Sequence, residues 1–125
     1  MQALKINATN ETPAIIFDKK SNVFSVIGRS MPENAAKFYN SVLDWVEAYT
    51  LNPNLQTQLD INLEYFNTAS SKLILDALVL FGSITKMPNH SLIVNWHYDK
   101  DDEDLYESGV GFSSLVNLPF NMVSY

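Results

Sequence analysis

Residue types on which many catalytic and metal-binding proteins depend are scarce in this chain of 125 residues. Cysteine is absent, which excludes disulfides, thiolate catalysis and cysteine-bound metals. The two histidines, His90 and His97, have no second nitrogen or sulfur ligand at a metal-binding spacing. The four glycines are scattered, so the chain has no glycine-rich loop for phosphate groups. We expect neither a metal nor another cofactor.

Positive charge and long apolar runs are also limited. The chain has 8 Lys and Arg against 14 Asp and Glu, a net charge of −6, whereas nucleic-acid binding requires basic side chains that displace counterions. No apolar run approaches the ~20 residues of a membrane helix, and the N-terminal residues lack the apolar core of a signal peptide. We therefore expect one cytoplasmic domain over residues 12–125, with no nucleic-acid or membrane partner. Residues 1–11 are predicted to form a loose lead-in or an added edge.

The hydrophobic pattern changes sharply between residues 57 and 86. Apolar and polar residues first alternate, which predicts a strand from Thr57 to Phe66 with one buried face. Apolar residues then recur at helical spacing, which predicts a helix from about Ala69 to Lys86. The residues assigned to the buried face of the strand are Leu59, Ile61, Leu63 and Tyr65.

The turn between this strand and this helix is rich in hydroxyl groups. Asn67 and Thr68 are good N-cap residues, because a side-chain oxygen there can accept a hydrogen bond from an unpaired N–H group of the first turn. A phosphate on a hydroxyl at this place would meet the positive end of the helix dipole and free N–H donors. The residues alone leave both roles open, helix cap and modification site.

Two strands and one helix are predicted before this region. Ala14–Phe17 and Val23–Gly28 have strand patterns, and the polar five-residue connection between them is typical of a hairpin. Ser30 and Glu33 have the spacing of a capping box. A helix is therefore predicted to begin at Ser30 and to end before Pro53.

A fourth strand and a third helix are predicted after it. Alternation over Leu92–Tyr98 indicates the strand. The acidic segment that follows lacks the glycine and glutamate of an EF-hand calcium loop. Its carboxylates instead favour a helix start, from near Asp101 to around Gly109, and a docking role for this acidic face stays open. The residues predicted to close the core are Phe112, Leu115, Val116, Leu118 and Phe120.

The predicted order is β-β-α-β-α-β-α, which indicates an α/β fold of the α+β sandwich type. We expect two layers, with a mixed sheet of about four to five strands and helices mainly on one face. Asn62, Glu64, Asn95 and His97 would then lie on the open sheet face. Asp60 and Glu64 share that face but have no evident acid/base partner, so we do not expect catalysis. The order is similar to that of STAS domains, which place a phosphorylatable Ser or Thr at a helix start.

The second helix is unusually apolar. Leu75, Val79 and Leu80 widen its apolar surface beyond what one sheet face would cover. Such a helix is either deeply buried or presents an apolar strip to a partner or a second copy of the chain. A homodimer therefore stays open.

Five separated motifs occur between about Thr12 and Phe120, in an order and at a spacing that belong to a known family. The motifs are Thr12-Pro13-Ala14-Ile15, Gly28-Arg29-Ser30-Met31-Pro32-Glu33-Asn34, Asp44-Trp45, Leu63-Glu64-Tyr65-Phe66-Asn67-Thr68 and Asn95-Trp96-His97-Tyr98-Asp99. Together they resemble the SiaC family of regulatory phosphoproteins.

The resemblance implies a bacterial protein that is reversibly phosphorylated by a dedicated kinase and a metal-dependent phosphatase. In the family the acceptor is the threonine that matches Thr68. The unphosphorylated form of the best-known member binds and activates a diguanylate cyclase, and so controls cyclic-di-GMP and biofilm formation. Ala69 stands where a serine is often found, which leaves Ser70 and Ser71 as competing acceptors.

Two hypotheses follow. In the first, the chain is a phosphorylation-controlled binding protein, not an enzyme, and its partners are an effector, a kinase and a phosphatase. In the second, it is a constitutive structural or dimerisation domain in which Thr68 only caps a helix. The surface expected to bind partners consists of Glu64, Asn67, Thr68, Ser71, Lys72 and Asp76.

Overall fold

Six strands and three helices build the structure, a computed structural model that describes all 125 residues. A 3-10 turn over Ser83–Lys86 extends the second helix. The strands are β1 (Leu4–Ile6), β2 (Ala14–Asp18), β3 (Val23–Ser30), β4 (Gln56–Phe66), β5 (Ser91–Tyr98) and β6 (Phe120–Ser124), and the helices are α1 (Ala35–Tyr49), α2 (Thr68–Gly82) and α3 (Glu103–Val116).

The strands lie in the sheet in the same order as along the chain. The pairs β1–β2 and β2–β3 are antiparallel, and the pairs from β3 to β6 are parallel. Each parallel connection contains one helix. Because such crossovers are right-handed and all step in one direction, the three helices pack on one face of the sheet. The predicted two-layer α/β fold is confirmed, although the sheet has six strands rather than four to five.

Two strands without a predicted strand pattern lie at the two edges of the sheet. Within residues 1–11, predicted as a loose lead-in or an added edge, β1 has three residues and forms an added edge by pairing with β2. At the other edge, β6 has five residues and pairs with Val94–Tyr98 of β5. Both are too short to show a clear alternation. Pro119 stands just before β6, where its missing N–H interrupts no ladder.

Aromatic side chains fill much of the space between sheet and helices. Phe24 of β3 packs against Tyr49 of α1 and Phe81 of α2, with ring centroids 4.9 and 6.1 Å away. Phe17 of β2 meets Phe81 edge-on at 5.5 Å. The buried residues of α1, among them Tyr39, Val42 and Val46, face this core, and α2 lies between α1 and α3.

The first helix begins at Ala35, so the capping box predicted at Ser30 was wrong. Ser30 is the last residue of β3, where it pairs with Phe66 of β4 and is fully buried. Asn34 caps α1 instead, and its side chain accepts a hydrogen bond from the backbone N–H of Lys37 at 3.1 Å. Pairing with a strand far along the chain overrides the local capping signal.

The third helix continues past its predicted end. Asp102 is its N-cap, accepting a hydrogen bond from the N–H of Leu105 at 3.0 Å, and the helix runs to Val116. Gly109 is a buried residue inside the helix, not its end. Leu115, predicted to lie in the core, is 70% exposed.

Candidate functional site at the start of α2

An irregularity in β4 fixes the turn that leads into α2. Gly28 of β3 lies opposite Leu63, but the next residue, Arg29, lies opposite Tyr65. Glu64 is therefore an extra residue in β4, a β-bulge of the kind that re-aims the residues following it. Gly28 has φ +129°, a conformation that residues with side chains rarely adopt.

The bulge reverses the predicted inside–outside pattern at the end of β4. Tyr65 was expected in the core but is 50% exposed. Phe66 points into the core, where its ring lies 6.3 Å from that of Trp96 and 5.9 Å from that of Phe112. Phe66, the last residue of β4, is thus held by contacts with the core, and the polar turn begins immediately after it.

Asn67 is the N-cap of α2. Its extended backbone, with φ −84° and ψ 174°, lets its side-chain oxygen accept a hydrogen bond from the N–H of Ser70 at 2.9 Å. A second bond joins the backbone N–H of Asn67 to the carbonyl of Ser30 at 2.9 Å. The helix start is therefore fastened to the end of β3, and Thr68 is not the cap.

Thr68 is the first residue of α2 and is exposed. Its hydroxyl makes no hydrogen bond within the protein. Lys72, Asp76 and Val79 follow at helical spacing and are exposed as well, so Thr68 begins the solvent-facing stripe of the helix.

Ser70 lies on the opposite, buried side of the same turn. It is 0% exposed, and its hydroxyl oxygen accepts a hydrogen bond from the hydroxyl of Ser30 at 2.8 Å. The Ser30 oxygen also lies 2.6 Å from the hydroxyl of Tyr39 on α1. Since Ser30 has one hydroxyl hydrogen, which goes to Ser70, Tyr39 is the donor in the second bond. Three buried hydroxyls thus join β3, α1 and α2.

The environment of Tyr39 keeps this network neutral. Burial raises the pKa of Tyr39, and the hydrogen bond with Ser30 only partly opposes that rise. The sequence carried one signal for the burial of Ser70. Ser70 precedes Ile74 by one helical turn and so lies on the same face of α2 as the buried residues Ile74, Leu78 and Phe81. A serine, however, is not usually counted in an apolar stripe.

The other predicted site residues lie around Thr68 in different environments. Ser71 is half-buried. Lys72 and Asp76 are exposed on the wall of an open groove between the start of α1 and the first three turns of α2. Glu33 and Lys37 supply charge on the α1 side of this groove. Glu64 is exposed at the bulge and lies outside the groove.

Three residues that the sequence placed on the open sheet face, Asp60, Asn95 and His97, form a hydrogen-bonded cluster there. Asp60 accepts hydrogen bonds from Asn95 and His97, each at 3.0 Å, and the side chain of Asn121 donates to that of Asn95 at 3.1 Å. Partial burial disfavours ionisation of Asp60, but these bonds outweigh it and hold the pKa of the carboxyl below its ordinary value. Glu64 does not join the cluster. The polar open face was predicted, but the carboxylate acting there is Asp60, hydrogen-bonded within the sheet.

The wide apolar surface of α2 is explained by the position of this helix in the middle of the helical layer. By length and composition alone, Thr68–Lys86 could cross a membrane, and it is the one helix for which this holds. In the fold it is the middle helix, packed against the sheet through Ile74, Leu78 and Phe81 and flanked by α1 and α3. Leu75 and Leu80 pack against the core, which leaves Val79 as the exposed large apolar residue.

Comparisons with known proteins agree with this fold. The family model described as SiaC family regulatory phosphoprotein matches residues 6–125. A protein of Pseudomonas aeruginosa strain UCBPP-PA14, itself named as uncharacterised, is 33% identical over 120 residues, which cover 96% of this chain and 94% of that protein.

Solved structures of SiaC match nearly the whole chain. SiaC of Pseudomonas aeruginosa matches with a TM-score of 0.87 and 32% identity over 100% of both chains. A crystal structure of the diguanylate cyclase SiaD in complex with its activator SiaC, from the same organism, matches with a TM-score of 0.88 and 32% identity, over 98% of this chain and 99% of that one. With the family model matching residues 6–125 and a solved SiaC structure matching over the whole chain, the chain belongs to the SiaC family of regulatory phosphoproteins.

Proposed function

We propose that this protein is a binding partner and activator of a diguanylate cyclase, and that phosphorylation of Thr68 releases that effector. The proposal combines family membership with the structural match to an activator in complex with a diguanylate cyclase. In this proposal the protein has no catalytic activity of its own and works in the cytoplasm. A cognate kinase and a metal-dependent phosphatase set the fraction that is modified.

The observation that carries the proposal is the contrast between the three hydroxyls of the turn. A kinase needs an accessible hydroxyl that is free to leave its present contacts. Thr68 is exposed and unbonded, Ser71 is half-buried, and Ser70 is fully buried and bonded to Ser30. Accessibility therefore favours Thr68 over both competitors.

The place of Thr68 also suits a switch that leaves the fold intact. A phosphate adds roughly 1.5 to 2 negative charges at neutral pH. At the first residue of a helix, such charge is favoured by the helix dipole and by first-turn N–H groups. The phosphorylated protein should stay folded while its surface changes.

The change in surface charge accounts for release of the effector. In the groove beside Thr68, Lys37 and Lys72 balance Glu33 and Asp76. A phosphate makes this balanced surface negative and strongly hydrated. An effector that docks an apolar or acidic segment here would lose affinity, because it would have to strip water from the phosphate or place like charges together.

The test uses the diguanylate cyclase of the source organism most similar to SiaD, with cyclic-di-GMP formation as the readout. We expect unmodified protein to stimulate the cyclase, and protein carrying phosphothreonine at position 68 to fail to do so while keeping its circular dichroism spectrum. Protein with phosphoserine at position 71 serves as the matched control. Equal stimulation by the unmodified and Thr68-phosphorylated forms would refute release by phosphorylation.

Phosphorylation in the cell needs its own measurement. We expect intact-mass and fragment-mass analysis of protein from its native cells to find a phosphate on Thr68 that a metal-dependent phosphatase removes. A phosphate found only on Ser71, or none under any growth condition at full peptide coverage, would contradict the assignment of Thr68.

A further inference from the structure

A lysine follows Thr68 by one turn of α2. Lys72 is four residues further along the same regular helix, and both side chains are exposed. Residues four apart on a helix are surface neighbours, and helical side chains lean towards the N-terminus of the helix. The side chain of Lys72 therefore leans towards Thr68.

No acidic group of the protein holds Lys72. The one ion pair of the structure joins Asp60 and His97 on the open sheet face. Asp76, one turn beyond Lys72, does not pair with it, and a pair with the acidic residue C-terminal to the lysine has the less favourable orientation in a helix. The ammonium group of Lys72 is free to bind an anion that appears at position 68.

We propose that Lys72 binds the phosphate of phosphorylated Thr68 and so completes the switch, an inference that rests on the proposed function. The pair would place the anion N-terminal to the cation, which is the favourable orientation in a helix. Charge-assisted bonds between an ammonium and a phosphate are short and strong. Phosphorylation thus adds negative charge and also withdraws Lys72 from the groove.

This withdrawal strengthens the effect on a partner. In the unmodified protein, Lys72 and Lys37 are the cations of the groove between α1 and α2. Once Lys72 is bound to the phosphate, Lys37 remains the single unbound cation beside Glu33 and Asp76. Lys72 is therefore a residue that determines how strongly the modification changes the docking surface.

The test is a ³¹P NMR titration of the full chain with phosphothreonine incorporated at position 68 during synthesis. A unit positive charge bonded to the phosphate, ~4 Å from it in water, favours its dianion, so Lys72→Gln should raise the second pKa of the phosphate by about 0.7. Lys86→Gln, which removes the same charge from the 3-10 turn at the far end of α2, should leave that pKa unchanged. Circular dichroism checks that each variant is folded.

Two results would overturn the inference. One is a phosphate that titrates identically with and without Lys72. The other is a larger shift on Lys37→Gln, which would assign the phosphate to the opposite wall of the groove. Because the phosphate is installed during synthesis, the titration does not depend on whether cells modify Thr68. Failure of this inference and failure of the proposed function are therefore separate results.

Discussion

The hydroxyl of Ser30 donates to that of Ser70 across 2.8 Å, although the two residues are 40 positions apart in the sequence. Ser30 ends β3, and Ser70 lies in the first turn of α2. Together with the bond from the Asn67 N–H to the Ser30 carbonyl, this contact fixes how α2 leaves the sheet. The same geometry turns Ser70 inward and leaves Thr68 outward, so the network beneath the turn determines which hydroxyl is exposed to solvent.

Removing the Ser70 hydroxyl should destabilise the protein. Ser70→Ala leaves the buried hydroxyls of Ser30 and Tyr39 with one acceptor fewer, and an incompletely bonded buried polar group costs about 1–2 kcal/mol. Urea unfolding measures this as a lower free energy of unfolding. Ser71→Ala is the matched control, because Ser71 is half-buried and its side chain makes no hydrogen bond. A loss below ~0.5 kcal/mol for both variants would mean that the network contributes little.

Asn67 and Thr68 should respond differently to alanine. Asn67→Ala removes the bond to the Ser70 N–H and should cost about 1 kcal/mol, as for other N-caps. Thr68→Ala removes an exposed, unbonded hydroxyl and should change stability by less than ~0.5 kcal/mol. The two variants are compared by thermal or urea unfolding. A larger loss for Thr68→Ala than for Asn67→Ala would restore the cap role to Thr68.

Local patterns in the sequence predicted the parts of the fold that depend on neighbouring residues. Alternation located β4 and β5, and helical spacing located α2, to within a few residues. The polar turn at Asn67 and Thr68 was predicted in the same way. These features need only the burial preferences of the residues concerned.

The errors arose where distant parts of the chain decide the structure. Ser30 and Glu33 have the spacing of a capping box, but pairing with Phe66 keeps Ser30 in the sheet. The bulge at Glu64 depends on the register between β4 and β3. Because of it, Tyr65, which was predicted to be buried, lies at the surface. The burial of Ser70 depends on Ser30 and Tyr39, which supply hydroxyls from two other elements. No single stretch of sequence contains these contacts.

Gly109 should be intolerant of any side chain. A methyl group there would lie 2.5 Å from Cδ1 of Trp96 and 2.8 Å from Cε of Met122, and overpacking of a core costs typically about 1–3 kcal/mol. We expect Gly109→Ala to lower the free energy of unfolding by that amount. A methyl group at Gly111 would meet nothing within 4 Å, so Gly111→Ala should stabilise the same helix by up to about 1 kcal/mol. Equal effects in the two variants would mean that Trp96 and Met122 move aside freely.

Asp60 should make the stability of the protein depend on pH in acid. Partial burial opposes its ionisation, but hydrogen bonds from His97, Asn95 and Gln58 outweigh burial and hold its pKa below the ordinary value. A carboxyl whose pKa is lower in the folded state stabilises the protein above its unfolded-state pKa, about 3.9, and loses that contribution as the pH falls through the lower folded-state value. Asp60→Asn removes this titration. The stability difference between the parent and Asp60→Asn should therefore be constant above about pH 5 and change progressively below about pH 4.

The measurement is urea unfolding of both proteins from pH 7 down to the lowest pH at which they remain folded. Glu64→Gln is the matched control, because Glu64 is exposed on the same strand and its carboxylate makes no hydrogen bond. A difference for Asp60→Asn that follows the same pH course as that for Glu64→Gln would assign the effect to loss of any carboxylate on this strand and not to the bonds of Asp60. A parent-to-Asp60→Asn difference that stays flat down to pH 3 would show that Asp60 has no preferred charge state in the fold. The polar cluster of the open sheet face would then be an arrangement of neighbouring side chains without electrostatic consequence.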